Sequence, residues 1–235
     1  MDVIFRMRHL FLASALLGVL AGPVMAQPSA LDAPVQSLQL PRQLPPCGLE
    51  AVLLRVAKET GVRIGMERTS ECEGHQAFAF PQAYTGLDLT NAEVLDGVAV
   101  KEVLGRIAAL VPDYDWAIME GVAVFRPSEA WKDTKDPLTA RVPAMRFSEA
   151  PAGRIVGTIL NLPGSQGPRQ IMSIDFPGGT VLEALNSLVR SQPAMWYVST
   201  DGQRLHLGVM TVPTGSGFSL IAPVQGLFSR RIPSS

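Results

Sequence analysis

The chain reads as an α+β protein made of two small tandem domains, each with two helices packed on a short mixed β-sheet. Three observations carry that expectation. The segment 97–124 recurs without a gap 81 residues later, at 178–205. Apolar residues at helical spacing alternate with short extended runs, in the same order in both halves. Each copy closes on two extended runs joined by an acidic residue and a glycine, Glu120-Gly121 and Asp201-Gly202, the pattern of a tight hairpin turn with positive φ at its centre. Within the repeat Gly97 aligns with Gly178, Val100 with Val181, Glu102 with Glu183, Leu104 with Leu185, Pro112 with Pro193 and Gly121 with Gly202. Identities that fall on turns, helix ends and core positions repeat a scaffold.

Taken in order, Arg6 and Arg8 precede an apolar run from Leu10 to Leu20, then Gly22, Pro23 and the small residues Val24 and Ala26. That order predicts a bacterial-type secretory signal, residues 1–26, cleaved after Ala26 and leaving a periplasmic or secreted protein. The apolar run is shorter than the ~20 residues that cross a bilayer, so no integral membrane segment is expected after cleavage. Residues 27–43 form a Pro- and Gln-rich leader with an edge strand near Ser37–Leu40. Domain 1 spans 44–127. It opens with a helix over Gly48–Thr60, where Leu49, Val52, Leu53, Val56 and Ala57 share a face, continues with a strand over Val62–Met66, and carries an irregular insertion at 67–86.

A strand through Val94 and Leu95 precedes a helix that buries Val100, Val103, Leu104, Ile107 and Leu110 and ends before Pro112. The hairpin Tyr114–Met119 and Val122–Arg126 follows. The polar segment 128–137, containing Trp131, links to domain 2 at 138–210. There a strand over Thr139–Phe147, a helix with Ala152, Ile155, Val156, Ile159 and Leu160, a strand over Ile171–Phe176, a helix with Val181, Leu185, Leu188 and Val189, and a second hairpin repeat the plan. Residues 211–235 are a tail whose Phe218–Phe228 stretch is apolar enough to dock on the protein or on a partner.

Two cysteines in an exported chain read first as one disulfide, Cys47 with Cys72. Closing a loop of about 25 residues contributes roughly 3 kcal/mol in the chain-entropy model. A metal alternative rests on the C-x-x-H spacing of Cys72 and His75, but zinc there lacks a fourth ligand or a second half-motif; free thiols are the third reading. The net charge of −1 and the absence of a basic, aromatic-laced stripe argue against nucleic acid as partner.

The segment from Leu49-Glu-Ala-Val-Leu-Leu-Arg-Val through Gly97-Val-Ala-Val-Lys-Glu-Val-Leu to the aromatic hairpin ending in Val122-Ala-Val-Phe125 resembles the secretin and TonB short N-terminal domain. The second copy, Phe176-Pro-Gly-Gly-Thr-Val-Leu-Glu-Ala-Leu through Trp196-Tyr197 to Leu207, is similar to it again. The resemblance implies a non-catalytic periplasmic docking module of an envelope assembly, with another envelope protein as partner and peptidoglycan as a second class of partner. The chain departs from the family's usual context in its tandem copies, its insertion and the lack of a following barrel or secretin core.

No cofactor is expected, and no G-x-S-x-G, phosphate loop or H-E-x-x-H occurs. The recurring Glu183 has a structural job as partner of Thr180 in a capping box, whereas Ala99 leaves Glu102 only the helix dipole. His206 is expected on a strand face, and Trp196 and Tyr197 on opposite faces of theirs, one buried and one free to be exposed. Non-recurring features therefore supply the candidate partner surface: Trp131, Phe78, Phe80, Tyr84, Phe218 and Phe228. A competing reading is an exported hydrolase or cell-wall-binding protein with its site near Cys72 and His75. Another places a ligand in a groove between the domains, with Trp131 as a lid.

Overall fold

The α+β class holds, and its organising element is one six-stranded sheet that takes strands from both halves of the repeat. The computed structural model describes residues 30–44, 47–69, 89–161, 171–190, 194–201, 204–211 and 228–231. In the first half, β1 (Leu38–Leu40) pairs antiparallel with β3 (Glu93–Leu95), and α1 (Leu49–Thr60), β2 (Ile64–Arg68), α2 (Val100–Ala109), β4 (Tyr114–Met119) and β5 (Val122–Pro127) complete the unit. After a short 3-10 turn at Pro137–Thr139, the second half contains β6 (Arg141–Val142), β7 (Met145–Pro151), α3 (Ala152–Ile159), β8 (Ile171–Phe176), β9 (Gly179–Thr180), α4 (Val181–Arg190), β10 (Ala194–Asp201) and β11 (Arg204–Thr211). The tail contributes β12 (Phe228–Arg231).

The repeat is visible in the helices, since α2 and α4 begin and end at aligned positions. Gly97 and Gly178, which lead into them, both have positive φ, +70° and +100°, where a side chain is strained. Thr180 and Glu183 make the expected capping box: the Glu183 carboxylate accepts from the Thr180 N–H (2.6 Å), and the Thr180 hydroxyl accepts from the Glu183 N–H (3.2 Å). Ala99 provides no side-chain cap. The first hairpin turns as expected, with Glu120 at φ +53° and Gly121 at +79° between the closing pair Met119 and Val122. The second differs. Its closing pair is Asp201 with Arg204, so the connection is Gly202-Gln203, outside the described residues, and the register is offset by one residue from the aligned hairpin.

The hairpins expected on separate short sheets lie in one, ordered β12-β11-β10-β2-β5-β4. Its centre is parallel: β2 pairs with β5 on one side and with β10 on the other. The helices divide between the faces. Ile64, Met66, Ala123, Phe125, Met195 and Tyr197 point into a core with α1 and α2, while Val122, Val124, Trp196 and Val198 point into a second core with α3 and α4. Each core also takes in a two-stranded ribbon, β1-β3 with the first helix pair and β7-β8 with the second. The order of layers at the sheet is helices, sheet, helices.

Burial of the inner strands on both faces follows from this order. Trp196 and Tyr197 do point to opposite faces, but both are buried, because each face carries its own helices. Trp196 is seated over Gly65, its register partner on β2; a Cβ on Gly65 would stand 2.1 Å from the Trp196 ring. Its indole N–H donates to Asn186 Oδ1 (3.0 Å). The strand expected over Val62–Met66 runs to Arg68, so Glu67 and Arg68 belong to the sheet rather than to an insertion. No helix among the described residues is long and apolar enough to cross a membrane.

Candidate functional site

The sheet's outer strand β4 and the segment that leaves β5 form the most distinctive surface, and two buried charge clusters at the end of β2 support it. Successive residues of β2 point to opposite faces, which sends Glu67 one way and Arg68 the other. On the second-core face, Glu67 accepts a hydrogen bond from Arg126 Nε of β5 (2.7 Å). Asp136, from the segment after β5, brings Oδ2 to 2.7 Å from Arg126 Nη2, a close ion pair without hydrogen-bond alignment. All three are buried. On the other face Arg68 pairs with Glu50 of α1, also buried, and its guanidinium lies 4.9 Å from the centre of the Tyr197 ring.

Burial sets the electrostatics of both clusters. It pushes the Glu67 carboxyl above its ordinary range, with the Asp136 charge adding to the rise and Arg126 opposing it. Asp136 is raised by burial as well, against the pull of Arg126. The Tyr197 phenol is pushed up to about 12 by burial. These groups hold charge where the fold needs a latch: Asp136 Oδ1 also accepts from the Leu138 N–H (2.7 Å), so one carboxylate both pairs with the sheet and starts the 3-10 turn.

Trp131 closes the latch. Its ring covers the Arg126 guanidinium at 5.2 Å, packs against the second core, and its indole N–H donates to the Asp115 carbonyl on β4 (3.3 Å). The segment 128–136 is thus a strap across the β4-β5 hairpin. On the opposite face of β4, Trp116 stacks on Phe125 at 5.7 Å, and the Tyr114 hydroxyl accepts from the Thr69 N–H (3.0 Å). Ile118, on that same face, is 50 % exposed.

Of the other expected partner-binding residues, Phe78, Phe80, Tyr84 and Phe218 lie outside the described residues, as does His75. Phe228 opens β12, where it pairs with Leu207 of β11. Cys47 is disulfide-bonded, and Cys72 lies outside the described residues. His206 lies in β11 opposite Ser199. Among the described residues no group of three or more His, Cys, Asp or Glu side chains is placed to hold a metal ion.

The buried charges were not foreseen from sequence. The available signal was weak: Glu67 and Arg68 directly continue an apolar extended run, and Arg126 ends one. Period-2 reading assigns such charges to strand ends in water, and only the second helical layer makes them interior.

No protein-family model, curated protein or solved structure matches the chain.

Proposed function

We propose that this protein is an exported, non-catalytic docking module of a bacterial envelope assembly, the role implied by its resemblance to the secretin and TonB short N-terminal domain. The first half supports that reading through its element order: strand, helix, strand, strand, helix, strand, strand. The observation that carries it is the outer strand β4. Six residues long and paired without a bulge to β5, it has no neighbour on its other side among the described residues. It contains neither Pro nor Lys. Long, regular, unprotected edges are what strand-adding partners use. The other end of the sheet, β12, is four residues long and carries Arg230 and Arg231.

A photoreactive residue at position 118, introduced in cells that export the protein, tests the reading. Expected are a mature periplasmic species and a discrete adduct with one envelope protein, with none from the same probe at exposed Glu59 on α1. Retention in the cytoplasm, equal labelling from both positions, or peptidoglycan cleavage by the purified protein would replace the docking reading.

A further inference from the structure

We infer that the edge of β4 accepts an extended peptide in which apolar and basic residues alternate. This rests on the docking reading and adds the chemistry of the partner.

The backbone determines what is on offer. In a two-residue hairpin the closing pair is hydrogen-bonded, so Met119, Ala117 and Asp115 direct their N–H and C=O groups inward to β5. The intervening Trp116 and Ile118 therefore direct theirs outward. The Tyr114 N–H is already taken by the Val111 carbonyl (2.9 Å), which places the beginning of the free edge at Trp116. Two outward N–H and two outward C=O groups match a strand of about five residues.

Side chains give the two faces different character. On the face that carries α1 and α2, the edge presents Trp116 and half-exposed Ile118, an apolar pair. On the other, it presents the exposed Asp115. Over 113–120 there are three acids, Asp113, Asp115 and Glu120, and no basic residue. Of the cations nearby, Arg126 is buried with Glu67 and Asp136, Arg190 stands 3.7 Å from Glu120, and Lys132 stands 3.8 Å from Glu129. Opposite charges across a strand pair attract and like charges repel. A strand with valine or isoleucine on one face and lysine or arginine on the other fits this edge. A second copy of β4 would bring the same acids against it and does not fit.

The test is a titration of the isotope-labelled mature protein, followed by amide shifts, with an end-blocked Val-Arg-Val-Lys-Val peptide and with its Val-Glu-Val-Asp-Val counterpart. The basic peptide is expected to shift and protect the Trp116 and Ile118 amides, and the acidic one to bind about tenfold more weakly. Asp113→Asn with Asp115→Asn should weaken the basic peptide about threefold to tenfold without changing the spectrum of the α1 and α2 core. Ile118→Lys, a second variant, should weaken it through both the lost apolar contact and the added charge. Equal affinity for the two peptides, shifts confined to other strands, or no binding at millimolar peptide would overturn the inference. A position-118 adduct with an envelope protein, together with indifference to peptide charge, overturns the charge pattern alone; loss of both overturns the docking reading too.

Discussion

Glu67 and Asp136 share one guanidinium, so this cluster buries more negative than positive charge, and its contribution to stability depends on pH. Both carboxyls are raised by burial. Between a carboxyl's ordinary value and its raised one, the folded state holds a proton that the unfolded state has lost. Stability from this pair therefore increases as pH falls through the raised values and levels off below the ordinary ones, 4.5 for Glu and 3.8 for Asp. Urea midpoints should show it: the gap between the protein and its Glu67→Gln variant should change as pH falls from 7 to 4.5, with the unsubstituted protein gaining more. Parallel midpoints would refute the assignment. Removing Arg126 leaves two buried carboxylates without their cation, and Arg126→Met should cost about 3–5 kcal/mol at pH 7. Gly65 is a steric case. Gly65→Ala pushes on the Trp196 ring and should cost about 1–3 kcal/mol by overpacking, with altered tryptophan fluorescence in the folded state. At this scale the sequence was legible where a residue's job is local. Thr180 with Glu183 could be read from spacing alone, whereas Glu67 with Arg126, 59 residues apart, needed the fold.

Helix α4 is capped and its repeat counterpart α2 is not, which makes the pair an internal control. Thr180→Ala should cost about 1 kcal/mol in urea unfolding, and Ala99→Ser should gain a comparable amount, since Ala99 already has the extended backbone of a cap residue (φ −64°, ψ 141°). A similar change from both substitutions in the same direction would contradict the capping account. The proposed pairing of Cys47 with Cys72 would tie the chain just before α1 to the segment after β2. Thiol titration of the denatured, unreduced protein should find no free thiol, and reduction should lower stability by roughly 3 kcal/mol; two reactive thiols would refute the pairing. Helices α1 to α4 were legible because 3.6-residue periodicity and bounding Gly or Pro are local signals. The second hairpin's register was not, because pairing with β2 and β12 acts on it as well as its turn.

Between the two halves, the shared sheet is the feature with most consequence. Repetition in the sequence predicts two similar units, but not how they meet. Here β2 lies between the hairpins, and alternate residues of β5 and β10 enter opposite cores. Fully apolar strands such as Val122-Ala-Val-Phe125 contained the hint, since a strand buried on both faces has no polar alternation. Joined this way, the halves cannot unfold independently, and calorimetry should record one cooperative transition rather than two. The same arrangement consumes one side of each hairpin and leaves β4 as an open edge among the described residues. Residue-resolved hydrogen exchange of the free mature protein tests both statements together. Maximal protection is expected for Gly65, Met66, Trp196 and Tyr197, and along β4 an alternation, with Trp116 and Ile118 exchanging fast and Ala117 and Met119 slowly. Uniform protection from 114 to 119, or fast exchange in β2, would contradict this pattern.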